Sequence, residues 1–565
     1  MKKLLFVLIT LLLLPSIFGA KSIKLLAVQE EDGQGNIATM ELETRKGEGR
    51  VFLETFPLTK YDTQISTRFA KEIACNYLER DCSKLDFFYT VRSESGFVGG
   101  PSAGASTALL TIAVLENKDI PQDISMTGTI NSGGSIGPVG GVKEKIEGGA
   151  KAGIKKIFIP KGERKIKIGE NVSFDVVEYG KNLSVEVIEV AELQEALKEY
   201  GIPFKKKEYE LIVDPDYNKV MKAISNQLCE RTLKLKDAHD ISENISKDIT
   251  RDATNATRRA ASAYKENKYY TAASYCFSTN AKINALILSE KNLSKKEAKK
   301  SIENIRKELE SLVKELNKKK LLTLTDLQTY MIVTERISDT ENSLNQTLER
   351  LEKNQSFANG IAYARERLES AKSWMQFFGV NGRKFELDKE HLRTSCLKKV
   401  EEAKERFQYV KTYAQQFDVG EKLQEAETYY NTGKYELCLF KASLIKADVN
   451  SVLSVLGVTE AQLGDIIDTK RNIAKRLIAE QGAKDNFPIL GYSYYEYAGE
   501  LKDSQPISAL LYSEYSLELS NLDIYFKEKK NTETEEFSYE KVGILVFGML
   551  LGAAIVLIFK KKQQL

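Results

Sequence analysis

Between Pro215 and Pro488 the chain contains no proline, and glycine is sparse. Proline removes a helical hydrogen bond and clashes with the preceding turn, and glycine disfavours helix by its freedom. A stretch this long with no proline and little glycine can be helix almost throughout, so an all-helical domain is expected over 204–527. Within it Ile302, Ile305, Leu309, Leu312 and Leu316 form a heptad seam with charged residues around it. A looser seam runs from Leu327 to Leu351. Together they predict an antiparallel helical hairpin over 296–352, either a projecting coiled coil or an ordinary amphipathic pair in a bundle.

The helical stretch has clear edges. Pro203 and the basic Lys205-Lys206-Lys207 mark its boundary, and Asp214-Pro215 reads as an N-cap followed by proline at the first helical position. Weak internal repeats lie inside it. The run Tyr264 to Tyr269 is similar to Tyr430 to Tyr435, each followed by a helix with a cysteine and small residues. Tyr497 to Leu501 with Ala509 to Leu522 reads as a third copy. A Tyr-bearing helix, a tight turn and an Ala-bearing helix resemble tetratricopeptide-like hairpins, although the period is too irregular for a solenoid. Such hairpins hold peptides or proteins, and plain helix packing explains the tyrosines equally well.

Residues 21–203 read differently. Ser22 to Val28, Asn36 to Leu42 and Arg50 to Leu53 are apolar-rich runs with partial alternation, separated by breaks, and predict antiparallel strands. Asp62 to Leu78 predicts a helix and Phe87 to Val91 a strand. Beyond the glycine-rich segment at 99–104, helices are expected over Thr107 to Leu115, Lys143 to Ala152 and Val190 to Tyr200. Strands are expected over Ser125 to Ile130, Ser135 to Val139, Ile154 to Ile159 and Asn171 to Val177. Strands and helices mix without strict alternation, which suggests α+β.

The chemistry is concentrated between Gly99 and Lys145. Ser102 stands between glycines in Gly99-Gly100-Pro101-Ser102-Ala103-Gly104, at an expected helix start. Backbone can approach a ligand there, and N–H groups at a helix start can bind developing negative charge. The two histidines, His239 and His391, lie far downstream in helical sequence. A Ser-His-Asp triad built within 21–203 is therefore excluded, and lysine is the remaining base, as in known Ser-Lys variants. Such a lysine must fall from about 10.4 towards about 7–8, which burial among apolar groups achieves. Lys143 and Lys145 both sit in Gly140-Gly141-Val142-Lys143-Glu144-Lys145. Two residues apart on a helix is about 200° around its axis, so only one can face a pocket.

Gly-Pro-Ser-Ala-Gly at 100–104, Met-Thr-Gly at 126–128, Gly-Gly-Val-Lys-Glu-Lys at 140–145 and Ala152 to Pro160 resemble, in order and spacing, the proteolytic domain of Lon proteases. The resemblance is dense from Phe97 to Pro160, thinner over about 21–200, and absent elsewhere. It implies an α+β proteolytic fold with Ser102 as nucleophile and Lys145 as general base. It also implies that Thr127 orients the lysine, with the Gly100 and Ser102 backbone N–H groups facing the oxyanion. Phe97-Val98-Gly99 departs from the family's charged Pro-Lys-Asp, and Thr129 stands where glutamate is common. No Gly-x-x-x-x-Gly-Lys-Ser/Thr phosphate loop occurs, so the expected enzyme works without ATP on unfolded or flexible polypeptides. No cofactor or metal is expected. Lon-type domains often form rings, so a homo-oligomer is a further expectation. A degenerate, inactive domain serving a cell-surface scaffold, whose helical domain binds proteins, is the alternative.

Both ends of the chain read as membrane signals. Met1-Lys2-Lys3, an apolar core from Leu4 to Leu14 and small residues at Gly19-Ala20 predict a signal peptide over 1–20. Val542 to Phe559 is free of charge and is followed by Lys560-Lys561-Lys562, which predicts a transmembrane helix over 542–559 and a cytoplasmic tail over 560–565. Residues 528–541 form the charged juxtamembrane linker. The bulk of the chain is thereby expected outside the cytoplasm. Export invites pairing of the six cysteines. Sequence cannot choose among the connectivities, and neighbouring pairs Cys75–Cys82, Cys229–Cys276 and Cys396–Cys438 are the expectation, with free thiols as the alternative. Asn171, Asn255 and Asn345 head glycosylation-type triplets that fit an exported chain. The net charge of +3 and interleaved acidic and basic residues argue against a nucleic-acid partner.

Overall fold

A computed structural model of the chain describes residues 20–529 apart from 30–32, 57, 94–98, 169–171, 203–207, 238–240 and 457. The expected signal segment up to residue 19, the boundary at Pro203 to Lys207, the departure at Phe97-Val98, Asn171, and the membrane span and tail at 542–565 fall outside the described residues. Among the described residues no helix is long and apolar enough to cross a membrane.

The first half is built on a seven-stranded sheet. Strand β1 (Lys21–Val28) pairs antiparallel with β2 (Gly35–Lys46), Lys21 opposite Leu42 and Val28 opposite Gly35. Strand β3 (Val51–Phe56) is followed by helix α1 (Tyr61–Tyr77) and β4 (Leu85–Ser93). The expected antiparallel meander ends at β2. β3 runs parallel to β4, because α1 between them is a crossover that returns the chain in the same direction. Helix α2 (Gly104–Leu115) is buried at every position, as an element apolar on all sides must be. Strands β5 (Ile124–Met126), β6 (Thr129–Ile130) and β7 (Ile136–Gly137) follow, β6 and β7 forming a small antiparallel pair.

Helix α3 (Val142–Lys151) leads to β8 (Lys156–Pro160), a β9 (Lys165–Ile168) and β10 (Val172–Asp175) hairpin, and α4 (Val176–Asn182). β11 (Glu186–Val190) and α5 (Leu193–Glu199) complete the region. The sheet order is β11-β8-β5-β1-β2-β4-β3, and the β1–β5, β5–β8 and β8–β11 pairings are parallel. This part is α/β in character, which corrects the α+β expectation. The parallel strands are short and their crossover helices close behind them, so strict alternation was hidden. α4 also replaces the end of a strand expected to Val177. Asp175 caps it, accepting from the Val177 and Glu178 amides at 3.0 and 3.1 Å.

The second half is helical as expected: α6 (Pro215–Lys236), α7 (Glu243–Lys265), α8 (Tyr269–Glu290), α9 (Lys295–Leu316), α10 (Leu324–Glu352), α11 (Ala358–Trp374), α12 (Lys389–Lys411), α13 (Gly420–Asn431), α14 (Tyr435–Val455), α15 (Glu460–Gly482), α16 (Ile489–Leu501) and α17 (Pro506–Ser520). Asp214 caps α6, accepting from the Tyr217 amide at 2.8 Å. The heptad seam on α9 joins the main helical core and packs against α10 and α11. The projecting coiled coil is thereby corrected to an amphipathic helix in a bundle, since a third helix covers the seam.

The first two tyrosine repeats share a geometry that the third, between Leu501 and Pro506, lacks. Each is a helix end, a turn residue with positive φ (Asn267 at 58°, Gly433 at 76°) and a new helix, with Tyr264 against Tyr269 and Tyr430 against Tyr435. Disulfides Cys229–Cys276 and Cys396–Cys438 join the first and third helices of α6–α7–α8 and α12–α13–α14, and Cys75–Cys82 closes the end of α1. The neighbouring-pair expectation holds for all three.

The two halves pack into one compact unit through Lys527. α12 lies against α1 and the Ser102 turn. Arg406 donates to the Ile130 carbonyl at 3.1 Å, and Arg476 to the Gly133 carbonyl at 2.8 Å and the Glu192 carboxylate at 2.6 Å. Charge-assisted bonds of this kind tie the helical half to the loops that carry the candidate site.

Candidate active site

Ser102 lies in a single 3-10 turn, Pro101–Ala103, directly ahead of α2. Gly100, at φ 102°, turns the chain into it, a backbone state that disfavours a side chain. The buried α2 then fixes the turn against the core. Ser106 Oγ donates to the Met126 carbonyl at 2.7 Å, and the Gly128 amide donates to the Ser102 carbonyl at 2.8 Å. The Thr127 amide donates to the Phe158 carbonyl at 3.0 Å. The Met126-Thr127-Gly128 loop is thus stitched both to the sheet and to the serine turn.

Lys145 reaches the same place from α3. The helix sits close to β2 because Gly148 has no side chain where the Gly35–Asn36 backbone passes. Lys145 is buried at 4 % exposure, whereas Lys143 turns outward to Glu147 at 3.5 Å, with its amine over the Phe174 and Tyr179 rings. The helical offset therefore separates the two lysines as expected. Lys145 Nζ donates to Thr127 Oγ1 at 3.1 Å, and Thr127 Oγ1 donates to the Ser102 carbonyl at 3.4 Å. Ser102, Thr127 and Lys145 are linked through one hydroxyl. Burial pushes the Lys145 amine down to about 8, opposed by the Glu163 and Glu144 carboxylates, which push it up. A neutral amine donating one hydrogen to Thr127 keeps its lone pair available to accept a proton.

The Gly100 amide donates to Asp62 Oδ1 at 3.2 Å, an engagement that any role at an oxyanion would have to break. Thr129 is buried, and its hydroxyl accepts from Asn131 Nδ2 at 3.4 Å, a neutral pair where the resemblance has a carboxylate.

Some neighbours carry no motif. Glu163, in the turn after β8, accepts from the Val139 amide at 2.7 Å, and burial pushes its carboxyl up. Tyr409 on α12 accepts from the Gly140 amide at 2.9 Å, and Tyr413 packs on Gly140. Glu405, also on α12, is buried and pushed up to about 7 by that burial. Tyr413 lies in the turn just past the end of α12, its ring edge-on to that of Tyr409, and nothing in the sequence says what this pair meets. Among the described residues no cluster of His, Cys, Asp and Glu is arranged to hold a metal ion.

Residues 81–199 match the profile of the Lon protease (S16) C-terminal proteolytic domain. The chain is 33% identical over 171 residues to the archaeal Lon protease of Archaeoglobus fulgidus, covering 30% of this chain and 26% of that one. It is 36% identical over 137 residues to the archaeal Lon protease of Pyrococcus abyssi, covering 24% of this chain and 13% of that one. The Lon protease of Trichlorobacter lovleyi is 35% identical over 99 residues, 18% of this chain and 11% of that protein. The chain thus spans about a quarter or less of the length of these curated relatives. The profile match at 81–199 spans β5, β8 and β11 and the Ser102, Thr127 and Lys145 segments, so this part of the chain is similar to a Lon-type (S16) proteolytic domain.

Proposed function

We propose that the chain is an ATP-independent serine endopeptidase in which Ser102 and Lys145 form the catalytic dyad. The observation that carries this reading is the buried Lys145 amine, held by the Thr127 hydroxyl that also bonds the Ser102 turn. Ser102 Oγ attacks the substrate carbonyl as its proton passes to Lys145 Nζ. Lys145 then gives that proton to the leaving amine, and an acyl group remains on Ser102. Water attacks the acyl carbonyl as its proton passes to Lys145, and Lys145 returns that proton to Ser102 Oγ as the ester bond breaks and the acid product leaves. Thr127 holds the amine throughout, and the Ser102 backbone N–H faces the oxyanion, joined by the Gly100 amide only if that amide leaves Asp62.

The substrates are unfolded or flexible polypeptides, since the chain has no ATPase motif to drive unfolding. The enzyme is placed at a cell membrane, anchored by residues 542–559, with its bulk outside the cytoplasm. The support is the sequence pattern of both ends and three disulfides, which persist in oxidising compartments.

The test is cleavage of casein and of an unstructured peptide without nucleotide by the intact protein, Ser102→Ala and Lys145→Ala. Cleavage by wild type, with at least a ~10³-fold loss in both variants, is expected. Equal cleavage by all three would refute the dyad. No cleavage by wild type would favour the surface scaffold, in which the helical half binds proteins.

A further inference from the structure

A cavity of about 260 Å³ opens where the two halves meet beside α3. One wall is the backbone of Pro138 to Gly141, the segment leading to Lys145. The facing wall comes from the helical half, from Tyr409, Tyr413, Leu453 and Leu456. Glu163 also lines it. Only one oxygen of that carboxylate is used, by the Val139 amide at 2.7 Å, while Oε2 is buried without a hydrogen-bond partner. A buried acceptor left unpaired is unfavourable, and a donor arriving with a ligand would relieve it.

The charges around the cavity point to the sign of that donor. Glu144 is a second, half-buried carboxylate, whereas the lining cation, Lys165, is exposed to solvent. The tyrosine rings and leucines give an apolar and aromatic channel suited to a long aliphatic stem or a guanidinium face. Gly141, Val142 and Glu144 line the cavity and the Lys145 amide donates to the Gly141 carbonyl at 2.9 Å, so the cavity adjoins the helical turn that carries the candidate base.

We infer that the helical half completes a substrate pocket beside the dyad, in which Glu163 receives the cationic end of a lysine or arginine side chain near the scissile bond. This rests on the Ser102–Lys145 reading. It gives the helical half a direct part in choosing substrates. Pairing Glu163 with a substrate cation would also offset the carboxylate that holds the Lys145 proton, so a basic substrate would favour the neutral base.

The experiment walks one residue through a quenched peptide, as Arg, Lys, Leu or Glu at each position around the cleaved bond, with the intact protein. Within each variant the readout is the ratio of kcat/KM for the Arg and Leu peptides. Wild type is expected to favour Arg or Lys at one position by about tenfold or more, the worth of one well-placed charged hydrogen bond. Glu163→Gln is expected to bring that ratio close to one, mainly through KM for the basic peptides, and Tyr413→Ala to lower it less. No basic preference at any position, or an unchanged ratio in Glu163→Gln, would overturn the inference. Binding of the same labelled peptides to Ser102→Ala, read by fluorescence anisotropy, tests the pocket without turnover. Equal affinity for Arg and Leu peptides there would also overturn it. Cleavage that persists in Ser102→Ala would instead refute the dyad beneath it.

Discussion

Two lysines, one in each half of the molecule, are buried almost equally and behave oppositely. Lys145 is 4 % exposed and Lys399, on α12, is fully buried. Lys145 meets a neutral hydroxyl, Thr127, at 3.1 Å. Lys399 meets two carboxylates, Glu518 at 2.7 Å and Glu402 at 3.3 Å, and Lys446 adds a second ammonium to the same cluster, 2.8 Å from Glu402. Burial depresses both amines. For Lys145 it wins, since Glu163 and Glu144 act on it without an ion pair to the amine. For Lys399 the Glu402 and Glu518 charges overcome it, and its value rises. Lys446 also falls, with burial foremost and the neighbouring Lys399 and Arg406 charges adding to it. Burial alone therefore does not make a base. A lowered value does not make one either, since Lys446 falls while ion-paired to Glu402; Lys145 combines a lowered value with a neutral partner and a serine turn.

The comparison can be broken most sharply by exchanging function against stability. Lys145→Met is expected to abolish peptide cleavage, by at least ~10³-fold, while leaving urea stability unchanged or raised by about 1–3 kcal/mol, since a poorly solvated amine is replaced by an apolar chain of similar length. Glu518→Gln leaves the buried Lys399 short of a counter-charge. It is expected to destabilise by about 3–5 kcal/mol and to leave kcat per folded molecule near wild type. If Lys145→Met were the more destabilising of the two, the contrast would fail.

A smaller effect is expected from Thr127→Val, which keeps the shape and deletes the hydroxyl that positions the amine. Steady-state kinetics should show kcat lower by about 10²-fold with KM little changed. A fall in KM-dependent binding alone would mean that Thr127 contacts substrate and does not orient Lys145.

The smallest effect concerns acid. The Lys399 and Lys446 charges overcome burial and hold Glu518 down to about 2, below its ordinary value of 4.5. A depressed carboxylate stabilises above its unfolded value, and that contribution is lost as pH falls from about 4.5 towards 2. Denaturant titrations from pH 6 to pH 2 should show the wild type losing stability over that window more steeply than Glu518→Gln.

Legibility in the sequence followed the range of the interactions. Local signals were legible: the proline-free stretch marked the helices, the Asp214-Pro215 cap marked the start of α6, and the family-like motifs singled out Ser102, Thr127 and Lys145, which the fold links through the Thr127 hydroxyl. The parallel pairing of β3 with β4 was missed because pairing direction depends on where α1 returns the chain, not on the strand's own residues. β9 and β11 were missed because each is short and rich in charge, Lys165 and Lys167 in one, Glu186 and Glu189 in the other. The heptad on α9 was legible as a seam, but its covering by α11 is a tertiary fact. Glu163, Tyr409 and Tyr413 lay beyond reach for the same reason. Their spacing carries no motif: Glu163 reaches Val139 through the fold of the first half, and Tyr409 and Tyr413 reach Gly140 only through the packing of the two halves.

The central claim is that Lys145 acts as a neutral base, and the pH dependence of kcat/KM on an uncharged peptide tests it most directly. Activity should rise with pH around 8, because the amine accepts a proton only when it is neutral. In Glu163→Gln that midpoint should move to lower pH, since the lost carboxylate raised it. A rise centred near the ordinary lysine value of about 10.4, or a profile indifferent to Glu163, would contradict the account.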